Sequence, residues 1–71
     1  MEDATREIRE LMLRISREIQ EAEVVEARLD AGEVDEQTYV EQMRALLDRI
    51  QSATRRIGEE LDGLQGRGRQ A

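Results

Sequence analysis

The chain has 71 residues, 17 acidic and 11 basic, and a net charge of −6. That is one small domain at most, with no room for a large core. The basic residues are all Arg, and Cys, His, Pro, Trp and Phe are absent, which excludes thiol and imidazole catalysis, disulfides and the usual zinc sites. No apolar run approaches the ~18 residues of a membrane span. Leu11-Met12-Leu13 is too short for a secretory signal, so the expected location is cytoplasmic.

The first half carries Ala4, Ile8, Leu11, Ile15, Ile19, Ala22, Val25 and Leu29 at a mean spacing of about 3.6, the helical repeat. Met12 widens this face. Gly32 follows Leu29-Asp30-Ala31, where a left-handed residue closes a helix and glycine fits without a Cβ clash. Asp35 is placed to cap the next helix. Val34 before it and Tyr39 after it have the spacing of a hydrophobic staple, which sets the angle of the incoming chain.

The second helix shows Tyr39, Met43, Leu46, Leu47, Ile50, Ala53, Ile57 and Leu61 on one face. Gly58 interrupts it at a cost of about 1 kcal/mol relative to Ala. It reads as a tolerated interior glycine or, in the sharper alternative, as a point of close backbone approach. Gly63 is the expected stop. The helices therefore fall near residues 3–31 and 36–62 with a turn at 32–35, making a hairpin of 1–63 and a Gly-rich, flexible C-terminal tail of 64–71. The short turn makes the helices antiparallel neighbours, with Leu29 facing Tyr39, Val25 facing Met43 and Ile15 near Ala53.

The expected fold is all-α: an antiparallel two-helix hairpin, a helical coiled coil, that dimerises into a four-helix bundle. Two helices share one seam, and a core of this size supplies about 3–5 kcal/mol at best. The apolar inventory is wider than one seam uses. The expected interface residues are Ile8, Leu11, Ile15, Ile19, Tyr39, Met43, Leu46, Leu47, Ile50 and Ile57, with Leu13 and Val24 as a possible second interface on the far side of the first helix.

Charge is unevenly placed. Residues 18–48 hold ten acids and two Arg, net −8; residues 1–17 are neutral; residues 49–71 hold five Arg and three acids, net +2. Glu23, Glu26, Asp30, Glu33, Asp35 and Glu36 make an acidic tip opposite an Arg-bearing end. An antiparallel pair of hairpins sets each tip beside the other's termini, which favours an antiparallel homodimer. Glu26 projects into the apolar face. It reads as a carboxylate at the seam edge or as a register-setting partner for an Arg.

No nucleophile–base pair can be assembled, so no catalytic residue, no enzyme activity and no cofactor are expected. The turn acids lack the spacing of a calcium loop, and no metal site is expected. Gly66-Arg67-Gly68-Arg69 is similar to a fragment of an Arg–Gly nucleic-acid segment, but two Arg release few counterions.

The stretch from Gly32 to Leu47 resembles the short helical module called SHOCT, and also a segment of the G-type accessory proteins of gas vesicles. Gly32, Val34, Glu36, Tyr39, Leu46 and Leu47 match that pattern. Asp35 replaces the hydroxyl cap, Thr38 an acid and Met43 a Lys. The resemblance implies an oligomerisation module.

The expected function is a small acidic, non-enzymatic protein–protein interaction module, an adaptor or scaffold subunit working through its apolar helix faces. Its partner is a second copy or another protein's helix, with no membrane partner. One alternative is an acidic inhibitor or chaperone that masks a basic surface on a nucleic-acid-binding or exported protein. Another is a small nucleic-acid-binding hairpin dimer using Arg6, Arg9, Arg14, Arg17, Arg55 and Arg56; nucleic acid is the less expected partner because acids intersperse these residues.

Overall fold

Both helices bury one side chain at alternating steps of four and three residues. The computed structural model describes residues 2–70, with side chains for residues 3–66. Helix α1 spans Glu2–Asp30 and helix α2 spans Glu36–Gln70, and there is no strand among the described residues. In α1 the buried and half-buried series is Ala4, Ile8, Leu11, Ile15, Glu18, Ala22, Val25 and Leu29. In α2 it is Tyr39, Met43, Leu46, Ile50, Ala53, Ile57, Glu60 and Leu64. Both series repeat every seven residues, which keeps one seam facing one partner helix along its whole length.

The two helices pack against each other as a hairpin of 57 × 17 × 11 Å. Its long dimension is close to that of a 35-residue helix, about 52 Å at 1.5 Å per residue. Ion pairs from Glu18 to Arg49 and from Glu7 to Arg56 show α2 returning along α1. They agree with the expected pairing of Leu29 with Tyr39 and Ile15 with Ala53. No helix among the described residues is long and apolar enough to cross a membrane.

The turn is built as its sequence requires. The Glu33 N–H donates to the Arg28 carbonyl at 2.9 Å, and the Gly32 N–H donates to the Leu29 carbonyl at 3.0 Å. These are the two bonds of a Schellman closure, and they satisfy carbonyls that the end of α1 would otherwise leave open. Gly32 sits at φ 74°, a conformation that a Cβ would strain. Asp35 then caps α2, its Oδ1 accepting the Thr38 N–H at 2.8 Å. Val34 and Tyr39 flank this cap, both half-buried, at staple spacing.

Helix α2 does not stop at Gly63. It continues to Gln70, so residues 64–70 extend the helix instead of forming the expected irregular tail; Ala71 lies outside the described residues. Glycine lowers helix propensity by about 1 kcal/mol but removes no backbone donor, unlike Pro. Gly58 and Gly63 stay helical, and a Cβ built on either meets nothing within 4 Å. Gly58 is thus a tolerated interior glycine within this chain. The half-buried Leu64 adds one further seam position.

Fully enclosed residues are few. Among the described residues Ala4, Val25, Leu46 and Ala53 are the buried hydrophobic ones, and no large side chain falls below 2% exposure. Two of the four are Ala, so the seam removes little apolar area from water, and at about 25 cal/mol per Å² its contribution is modest.

Two outcomes follow from this backbone. Gly58→Ala is expected to stabilise the hairpin by about 1 kcal/mol and raise its melting temperature by roughly 4–8 °C; an unchanged or lower value would mean that space at Gly58 is used. Asp35 provides a pH test. Thr38, through its side chain and then its backbone N–H, holds the Asp35 carboxyl below the usual carboxylate range. A depressed folded-state pKa contributes stability above the unfolded-state value near 4, and that contribution is lost as pH falls through the folded value. Melting curves of the wild type and Asp35→Asn should therefore differ most above about pH 5 and converge as the carboxyl protonates in acid. A pH-independent difference would contradict the cap.

Candidate interaction surface

The seam has two flanks, and they differ in chemistry. On one, Glu7, Arg14, Glu21 and Arg28 of α1 precede the seam residues Ile8, Ile15, Ala22 and Leu29, and Gln42, Arg49 and Arg56 occupy the equivalent positions of α2. Side chains cross the groove here. The Arg56 Nη2 lies 2.8 Å from the Glu7 Oε1, and the Arg49 Nη2 lies 4.0 Å from the Glu21 Oε2. Arg56 also reaches Glu60, one turn further along its own helix, at 3.7 Å.

The other flank consists of the residues that follow Ala4, Leu11, Glu18 and Val25 in α1 and Tyr39, Leu46, Ala53 and Glu60 in α2. They are Thr5, Met12, Ile19, Glu26, Val40, Leu47, Thr54 and Leu61. In a hairpin the like flanks of the two helices share a side. The cross-helix ion pairs fix one side as polar, so this set shares the opposite one. Five of its eight members are large apolar residues, each about half exposed: Met12 58%, Ile19 50%, Val40 48%, Leu47 51% and Leu61 52%. The Thr54 hydroxyl donates to the Ile50 carbonyl at 2.8 Å, so its polar group is occupied within its own helix.

This geometry redistributes the expected interface residues. Ile8, Leu11, Ile15, Tyr39, Met43, Leu46, Ile50 and Ile57 form the seam between the two helices of the chain. Ile19 and Leu47 do not; they stand on the apolar flank. Leu61, expected on the seam face, stands there too, and Glu60 and Leu64 take the seam positions. The cause is the repeat. A straight 3.6-residue projection drifts by about 20° per heptad against the seven-residue repeat that the hairpin keeps, and by about the fourth turn it exchanges residue 18 for residue 19.

The polar residue in the seam of α1 is consequently Glu18 and not Glu26. The Glu18 side chain is 14% exposed, and its Oε2 accepts a hydrogen bond from the Arg49 Nε at 3.0 Å. Glu26 is exposed on the apolar flank. Leu13 and Val24, the residues expected to offer a second surface, are both about half exposed. They lie about 16 Å apart along the axis, Leu13 on the back of α1 and Val24 in a cleft with Glu21, Arg28, Gln42 and Arg49 on the polar flank. In that cleft the buried Gln42 Oε1 has no hydrogen-bond partner.

The acids of the turn end, Glu23, Glu26, Asp30, Glu33, Asp35 and Glu36, are all exposed. Among the described residues no group of three or more acids is arranged to hold a metal ion. Arg14, Arg55 and Arg56 line a shallow cleft on the polar flank, but Glu7, Glu10 and Glu59 line it with them. The cleft therefore offers an anion no uniformly positive surface.

No protein family, curated protein or solved structure matches the chain.

The Glu18–Arg49 pair separates register from stability. A carboxylate in a seam loses solvation, which an exposed Arg restores in part, and apolar replacements of such pairs are often neutral or stabilising by about 1–4 kcal/mol. Glu18→Leu should therefore melt at the same temperature as the wild type or higher. A clear destabilisation in a thermal melt monitored by circular dichroism would show that the ion pair holds the hairpin together.

Proposed function

We propose that this protein is a non-enzymatic interaction module that self-associates through the apolar flank of its hairpin, two copies making an antiparallel four-helix bundle. The observation that carries this reading is the asymmetry of the flanks. On one side Arg49 and Arg56 are ion-paired across the groove within the chain. The other side leaves Met12, Ile19, Val40, Leu47 and Leu61 half exposed in one band. A band of this kind on a small protein marks a surface that another chain covers. The resemblance of residues 32–47 to SHOCT modules, which are associated with oligomerisation, supports the same reading.

Surface area supports it as well. The chain exposes 5783 Å², whereas a monomer of its 8.2 kDa is expected to expose about 4,500 Å². A rod of 57 × 17 × 11 Å exposes more than a compact globule of equal mass, and the excess leaves room for the ~800 Å² per partner of a standard protein interface.

A second reading rests on the acidic tip, whose six carboxylates are exposed within a stretch of net −8. Such a tip could cover a basic surface of another protein. Binding of that kind would weaken steeply with salt, because exposed charges are screened beyond about 8–10 Å. Self-association through the apolar flank would not.

Light scattering behind gel filtration decides the matter. The wild type is expected to elute with twice the chain mass at moderate and at high salt, and Ile19→Glu/Leu47→Glu as a single chain. A wild type that stays monomeric up to high concentration while fully folded would contradict the proposal.

A further inference from the structure

Granting the self-association proposed above, we infer the arrangement of the second copy: a twofold axis crosses the rod at the level of Ser16 and Gln51, stacking α1 on α1 and α2 on α2 with the tips at opposite ends. The apolar flank points to that level from each helix separately. On α1 the exposed apolar residues are Met12 and Ile19, whose midpoint lies between Ile15 and Ser16. On α2 the outermost are Val40 and Leu61, whose midpoint lies between Ile50 and Gln51. The Glu18–Arg49 pair sets the register of the hairpin and brings Ser16 level with Gln51. The two midpoints thus agree to about one residue, or ~1.5 Å of rise.

Rotation about this axis matches like with like. Met12 of one copy meets Ile19 of the other, Val40 meets Leu61, and Leu47 meets Thr54, whose hydroxyl is occupied within its own helix. Arg9, exposed near the terminal end of the same face, comes to the level of Glu23 in the second copy, and Glu26 comes to Thr5. Each tip, at the centre of the −8 stretch, lies beside the neutral or basic segments of the other copy.

The rival arrangement places the twofold along the rod and both tips together. It stacks α1 on α2 of the second copy, so that Glu26 faces Val40, Met12 faces Thr54 and Leu61 faces Thr5. Only Ile19 with Leu47 would then join two large apolar residues, and two −8 stretches would adjoin. Screening keeps the charge effect small; the mismatch of apolar with polar side chains decides the orientation.

Cysteine cross-linking tests the arrangement cleanly, because the chain contains no Cys. Ser16, Gln51 and Gln20 are all exposed. Ser16 and Gln51 lie beside the apolar flank at the level of the axis, and Gln20 lies on the back of α1. Under mild oxidation Ser16→Cys alone and Gln51→Cys alone are each expected to double in mass on a non-reducing gel, since a disulfide needs Cα atoms within about 7 Å. Gln20→Cys should stay single. Sedimentation of the wild type runs alongside. If the wild type is a dimer but Ser16→Cys and Gln51→Cys link only when mixed with each other, or no faster than Gln20→Cys, this arrangement is overturned and the self-association reading stands. If the wild type sediments as a monomer, both fall together.

Discussion

A single seam of limited area governs this molecule. Two helices with a seven-residue repeat can hide one stripe each, and here the stripe is thin: Ala4 and Ala53 are two of its four buried hydrophobic residues. The rest of the seam is only half covered, because a two-layer rod has no third element to close over it. Several other features follow from that shortage. The turn is closed by its two Schellman bonds, ion pairs cross the groove along one flank, and a band of large apolar side chains remains in contact with water.

The two flanks of the seam differ in what they do within the chain. On the polar flank, Arg49 and Arg56 reach across to Glu18, Glu21 and Glu7. Exposed pairs of this sort contribute about 0–1 kcal/mol each. Their main effect is on register, since sliding one helix by a residue would part both Arg from their partners. The large residues of the apolar flank are only half covered within the chain. Their remaining exposed half gains only if a second surface removes it from water, which is why the proposed function is placed there and not on the acidic tip alone.

Much of this was legible in the sequence, for identifiable reasons. Gly32, Val34, Asp35 and Tyr39 define the turn through local chemistry, and local chemistry does not depend on how the helices pack. The seam residues Ile8, Leu11, Ile15, Leu46, Ile50 and Ile57 stand where both a 3.6-residue and a 3.5-residue period would place them. Ile19, Leu47, Glu18 and Glu60 are where the two periods part. A straight projection sends the apolar residue inward and the acid outward, but the supercoil does the reverse. Glu18 would have been found from the sequence by testing a strict heptad against Arg49, 31 residues away. The length of α2 was hidden because four of the five glycines lie between residues 58 and 68, toward its end, and a count of helix-weakening residues does not show where a helix without Pro stops.

The central claim is that the half-exposed apolar band is covered by another copy of the chain, and that the hairpin draws stability from that contact. Thermal unfolding over a wide range of protein concentration tests this most directly, because association that favours the folded state makes the melting temperature depend on concentration. The account predicts a melting temperature that climbs steadily as the protein is concentrated, with the helical signal and the dimer mass lost together on dilution. A cooperative transition at one fixed temperature across that range, from a species of single-chain mass, would contradict it.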